Sequence, residues 1–276
     1  MTWRRLLASR SFALGAVLVA LVVIAAIGAD WLAPFDPLKN NYRARLGAPG
    51  ATHWLGNDSY GRDVLSRVLH GARLSLAIGA AVTLLVGLAG TAIGACAGYF
   101  DRADSPLMRT MDGLMAFPPV VLAIAIAAVL GPSTVNCIVA LAVAYTPRTA
   151  RVVRAAVLVT REAEYVEAAR AIGAGPLRIL VRHVLANSLA PILVQLTFVF
   201  ALAVLAEAVL SFIGVGPRPP APTFGNVIAD GRNYLAEAPW ICAAPGVAVM
   251  TLVIGLNLLG DGLRDVLDPR LRLELR

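Results

Sequence analysis

From Gly113 to Pro147 the chain carries no charged side chain. A single helix over those roughly 35 residues would be about 50 Å long, far beyond the ~30 Å hydrocarbon core of a bilayer. A soluble fold has no place for a stretch of this kind, and Gly131-Pro132-Ser133 breaks it near its middle. Two membrane spans joined by a tight hairpin fit it, if each borrows a turn from its charged flank. Pro118-Pro119 should disturb the first turns of the earlier span, because proline lacks the amide proton and crowds the preceding turn.

Four more apolar runs surround this one. Ser11 to Ala33 follows Arg4, Arg5 and Arg10 and closes on Asp30-Trp31, an interfacial pairing. It is longer than the apolar part of a cleaved signal and reads as a retained first span. Leu74 to Phe100 is uncharged, and its Gly87, Gly90, Gly94 and Gly98 lay small residues along one face for a second helix to approach. Val184 to Pro217 holds one acid, Glu207, and Ala238 to Gly260 forms the last run. The expected fold is therefore an all-α integral membrane protein of about six transmembrane helices. With 15% charged residues against the quarter usual in soluble domains, and a mean hydropathy of +0.74, the composition agrees.

The net charge of +7 is carried almost wholly by arginine, Lys39 being the only lysine. Arginines laced between apolar runs signal topology and contact with anionic lipid, and no nucleic-acid surface is expected. The segment with Arg148, Arg151, Arg154, Arg161, Arg170, Arg178 and Arg182 outweighs its acids, whereas the loop before the last span has only Arg218 and Arg232. The positive-inside rule places the former in the cytoplasm, with both termini. The expected organisation is an N-terminal tail and first span over 1–36, an extracytoplasmic loop over 37–70, and a core of five spans over 71–276. That core includes a cytoplasmic loop over 158–187.

Enzyme chemistry finds little footing. The chain has no G-x-x-x-x-G-K-[ST] phosphate loop, no H-E-x-x-H, no C-x-x-C and no G-x-S-x-G. No catalytic residue, cofactor or metal is assigned. His53, Asp58, Asp63 and His70 stand near one another in sequence, yet turn and cap roles explain them more simply than a metal. Cys96, Cys137 and Cys242 are each embedded in an apolar run and are read as small packing residues. The cytoplasmic stretch from Tyr165 to Gly173 is alanine-rich and laced with Glu167 and Arg170, which favours a short exposed helix. Gly173 can end that helix in a left-handed cap.

Glu167-Ala168-Ala169 followed by Gly173 resembles the EAA motif of ABC importer permeases. Further blocks resemble the dipeptide, oligopeptide and nickel branch of that family. They are His53-Trp54-Leu55-Gly56-Asn57-Asp58, Gly61-Arg62-Asp63-Val64-Leu65-Ser66-Arg67, Gly71-Ala72-Arg73-Leu74-Ser75-Leu76, Glu207-Ala208-Val209-Leu210-Ser211-Phe212-Ile213-Gly214, Pro239-Trp240, and Asn257-Leu258-Leu259-Gly260-Asp261-Gly262-Leu263-Arg264-Asp265. Two places depart from the pattern: Ala186 stands where the motif has proline, which should soften the bend from loop to helix, and Asn57 stands where threonine is commoner.

The resemblance implies a type I importer permease of the bacterial inner membrane, moving short peptides, with nickel or glutathione as alternative substrates. It implies as partners a second homologous permease, two cytoplasmic ATPases that bind ATP and magnesium themselves, and a periplasmic or lipid-anchored substrate-binding protein. Tyr165, Glu167, Ala168, Ala169, Arg170 and Gly173 would contact an ATPase, with Glu167 and Arg170 as polar contacts and Ala168 and Ala169 as close-packing ones. Glu207 is either a pathway residue or a lock between helices. Asp58, Gly61, Arg62 and Asp63 shape the outer loop or meet the binding protein. A secondary transporter driven by an ion gradient and a membrane adaptor are the competing classes. One intramembrane acid and no evident repeat weigh against the first.

Overall fold

The computed structural model describes residues 9–267 and is all-helical over them, apart from an isolated bridge between Asn57 and Asp63. Helix α1 spans Arg10–Ile27 and a single turn, α2, spans Ala29–Leu32. After a long loop, α3 runs Val64–Tyr99, followed by α4 at Asp101–Met115, α5 at Pro119–Leu130 and α6 at Thr134–Thr160. Two short pieces, α7 (Glu164–Ala171) and α8 (Pro176–Ile179), lead through a π-helical turn at Leu180–Leu185 into α9 (Leu189–Ile213). Helix α10 (Phe224–Gly231) and α11 (Trp240–Leu267) complete the described chain. Arg4, Arg5 and the end of the basic tail lie outside these residues.

Among the described residues the expected spans are uneven in length and hydropathy. Four helices, α1, α3, α9 and α11, are long and apolar enough to cross a bilayer alone, and α4 with α5 makes a fifth only as a pair bent by 86°. The cause lies in Phe117-Pro118-Pro119. Pro118 has extended backbone, so the apolar stretch after it forms 12 residues of helix and borrows nothing from the charged flank. Its partner α6 does borrow, continuing past Pro147 through Arg148, Arg151 and Arg154 to Thr160. Two of those arginines are matched from α4, Asp104 pairing with Arg154 and Asp112 with Arg151, while Asp101 bonds Arg161 at 2.8 Å.

Helix α3 likewise starts ten residues ahead of its apolar run. The Asp63 carboxylate accepts the Ser66 amide at 2.8 Å and caps the helix. The added turns carry charge because each charge meets a partner elsewhere: Arg73 donates to Asp30 at 3.0 Å, and His70 lies 3.3 Å from the same carboxylate. The Arg73 guanidinium holds the Asp30 carboxyl below the usual carboxylate range.

The glycine spacing does what the sequence suggests. A Cβ on Gly90 would meet Thr149, one on Gly94 would overlap the Ala150 carbonyl, and one on Gly98 would press on Val157. Backbones of α3 and α6 thus approach to a distance that only glycine allows. Helices α1 and α11 form a second close pair, with Gly15 against Leu259 and Gly262 against Phe12. Buried Val82, Val86, Leu141, Ala203 and Leu210 fill the core between α3, α6 and α9. Of the cysteines, Cys137 is buried and Cys242 half-buried, but Cys96 is exposed, against the expectation of a packing residue.

The chain path sorts its loops onto two ends. The loop before α3, the Gly131–Ser133 turn and the loop before α11 meet at one end, since Arg218 Nε donates to the Pro132 carbonyl at 2.7 Å and Trp240 Nε1 to that of Asn57 at 3.2 Å. The 161–188 loop occupies the other end, where Arg161 donates to the Gly98 carbonyl at 3.0 Å. The start of α1 and the end of α11 pack together at this same end.

Candidate functional site

At the 161–188 end, α7 forms where the alanine-rich composition places it. Val166 and Ala169 point inward and join Val153, Val157, Ile179 and Val184 in a buried cluster. Glu167, Ala168 and Arg170 are exposed, as is Tyr165. Ala169, expected on the contact face, is therefore an anchor of the helix within its own chain. Gly173 has φ +81°, the Gly173 amide donates to Arg170 at 2.9 Å and the Ala174 amide to Ala169 at 3.1 Å. These two bonds and the left-handed glycine make a Schellman cap, so Gly173 stops the helix as its chemistry suggests.

The cap also thrusts out a residue that sequence reasoning passed over. Ile172 is 86% exposed and Leu177 68%, so two large aliphatic side chains flank the end of α7 on the open surface. The signal was available, since an isoleucine directly before a helix-ending glycine has no helix face to hide on. Ala186 also has a plain outcome. It keeps helical dihedrals (φ −58°, ψ −35°), and the path from Pro176 reaches α9 through the π turn with no proline bend. Alanine retains the amide proton that proline lacks, so nothing forces a break.

The opposite end holds a knot of charge. Asp58 Oδ1 accepts the amides of Tyr60 and Arg62 at 2.8 and 2.9 Å. Its Oδ2 accepts Arg62 Nε and Arg67 Nη1, both at 2.7 Å. Asp230, from α10, closes the circuit with Arg62 Nη2 at 2.8 Å and Arg67 Nη1 at 3.0 Å. Gly61 permits the turn, with φ +74° and no room for a Cβ beside the Asn41 carbonyl. Asp63 faces the other way, capping α3 and bonding His53 Nδ1 at 2.9 Å, while His70 Nδ1 bonds the Ser66 carbonyl at 2.9 Å. Of the four residues weighed as a metal site, His53 and Asp63 bond each other while Asp58 and His70 have other partners, and no group of three ligands converges among the described residues.

Glu207 sits at a junction of three segments. It is fully buried, accepting Ser75 Oγ from α3 at 2.7 Å and Ser211 Oγ from its own helix at 2.6 Å. Ser75 Oγ in turn receives the amide of Phe224, the first residue of α10, at 3.3 Å. This geometry favours the lock between helices. We expect Glu207→Gln to leave uptake within about twofold of wild type. Glu207→Leu strands at least two buried hydroxyls at about 1–3 kcal/mol each and should lower the yield of folded protein. Loss of uptake by a well-folded Glu207→Gln would instead mark a charge on the pathway.

Residues 71–273 match the model of the family described as binding-protein-dependent transport system inner membrane component. That match covers most of the chain. The chain belongs to this family. Residues 1–49 match the N-terminal transmembrane domain of oligopeptide transport permease C. A peptide transport system permease protein of Brucella abortus is 52% identical over 99% of this chain and 93% of its own length. The di/tripeptide transport system permease protein of Pseudomonas aeruginosa is 41% identical over 94% and 88%. The glutathione transport system permease protein of Pectobacterium atrosepticum is 40% identical over 98% and 90%. In the fold, an inward-facing structure of the methionine ABC transporter MetNI superposes with a TM-score of 0.60 at 21% identity, over 73% of this chain and 96% of that one. The chain is an inner-membrane permease of ABC transporter type, and the secondary-transporter reading is set aside.

Proposed function

We propose that this permease carries short peptides inward as half of a two-permease pathway, driven by two cytoplasmic ATPases that dock on α7. Its ends and the 161–188 loop would face the cytoplasm, as the arginine count requires. The observation that carries the docking reading is the build of α7: anchored from beneath by buried Val166 and Ala169, it presents Tyr165, Glu167, Ala168, Arg170 and Ile172 outward. A rigid helix with a mixed apolar and charged outer face suits a partner that pushes, because force applied there passes through the buried cluster to α6 and α9. The nucleotide and its magnesium would belong to the ATPases. A substrate-binding protein would deliver peptide at the Asp58–Asp63 end, and the names of the relatives favour a peptide, with glutathione a peptide-like alternative.

The test is a pull-down of the tagged chain from membranes solubilised in mild detergent, with its neighbouring genes co-expressed. Recovery of a second permease and an ATPase, with the ATPase lost in Glu167→Lys, supports the reading. Recovery of the chain alone, with partners present, would reject it in favour of an adaptor role.

A further inference from the structure

Beside the charge knot lies a cavity of about 510 Å³, lined by residues of the loop before α3 and of the segment from Ser211 to Arg232. Its size is that of a small-molecule pocket. Four guanidinium groups line it, those of Arg62, Arg67, Arg218 and Arg232, against the carboxylate of Asp230, with Asp58 behind. The local balance is positive even with both acids counted. Deepest is Arg67, 2% exposed, whose Nη1 serves both aspartates while its Nε is buried without a partner. An orphaned donor on a buried arginine is costly, and native proteins satisfy such groups from protein, water or ligand. At the rim, Arg218 and Arg232 are exposed, and Tyr60 lies against Arg62, 4.6 Å from guanidinium carbon to ring centroid. Pro217, Pro219, Pro220 and Phe212 supply an apolar wall.

We infer that this cavity is a carboxylate-binding subsite, its rim arginines drawing in a monoanion on a small, partly apolar body. The fork of an arginine matches the two oxygens of a carboxylate. A dianion such as phosphate fits less well, because Asp230 stands in the wall and repels the second charge. The carboxylate comes from one of two sources, the C-terminus of a peptide or an acidic side chain of a protein docked at this end. The binding step does not depend on ATPase docking, so either reading can fail without the other.

The experiment is thermal unfolding of the full purified chain in detergent at constant ionic strength. N-acetylglycine at about tenfold excess over its Kd should raise the midpoint by roughly 2–4 °C, and neutral N-acetylglycinamide should not. Arg232→Glu, an exposed rim change outside the knot, should melt normally without ligand and lose the shift. Equal shifts from acid and amide, an equal shift from inorganic phosphate, or a shift retained in a normally melting variant would each overturn the subsite. Dialanine reproducing the shift, where N-acetyl-aspartic acid amide does not, supports it with the peptide terminus as source. The reverse supports it with a protein side chain as source.

Discussion

Ile172→Asp should release the ATPase from the complex and reduce uptake at least tenfold, while the chain still inserts and accumulates. Ile172 stands on the open surface within the Schellman cap, so its side chain contributes little to the fold of the isolated chain. Burying such a side chain against a partner is worth about 1.5–3 kcal/mol, and each ~1.4 kcal/mol is a factor of ten in affinity. A carboxylate forced into the same contact adds a desolvation cost. Gly173→Val acts on the same element by another route. At φ +81° a β-branched residue is strained, about 1–2 kcal/mol for the left-handed conformation alone, so the cap should unwind and the angle of α7 change. Quantitative co-purification and ATP hydrolysis stimulated by the binding protein measure both. Wild-type uptake by Ile172→Asp, Gly173→Val and Glu167→Lys together would remove α7 from the coupling path.

Asp58→Asn should be the most damaging single change at the other end. The carboxylate is wholly buried and balances Arg62 and Arg67, which are nearly so. Removing one partner from a buried ion pair costs about 3–5 kcal/mol, since the other charge stays desolvated. The yield of monodisperse protein and its melting temperature should both fall sharply. Asp230→Asn is the internal comparison: its side chain is 30% exposed and water can replace part of what it gives, so its effect should be clearly smaller. Equal melting of Asp58→Asn and wild type would show that the knot carries no stability.

The contrast between these ends explains how much the sequence could tell. The glycine face of α3 and the Gly173 stop are local properties, and each stands in the structure where the pattern placed it. Pro118-Pro119 reads in sequence as a disturbance of the first turns, whereas the backbone makes it a corner of 86°. The start of α3 was hidden because Arg67, His70 and Arg73 count as loop-forming charge until their partners are known. Those partners, Asp30 and Asp230, lie far off in sequence. The Arg62–Asp230 pair spans a separation of 168 residues, and no window of sequence contains it. Ala169 and Ala168 look alike as letters, and only the neighbouring Ile179 and Val184 decide which one turns inward.

The π turn at Leu180–Leu185 carries more residues per revolution than the helices beside it. It therefore sets the rotational phase of α9 relative to α7, as one tooth sets the mesh between two gears. Taking one residue out of that turn, and so tightening it to α, would rotate everything downstream by about 100°. Glu207, more than five turns further along, would then swing away from Ser75 while every hydrophobic residue of α9 kept its place in the sequence.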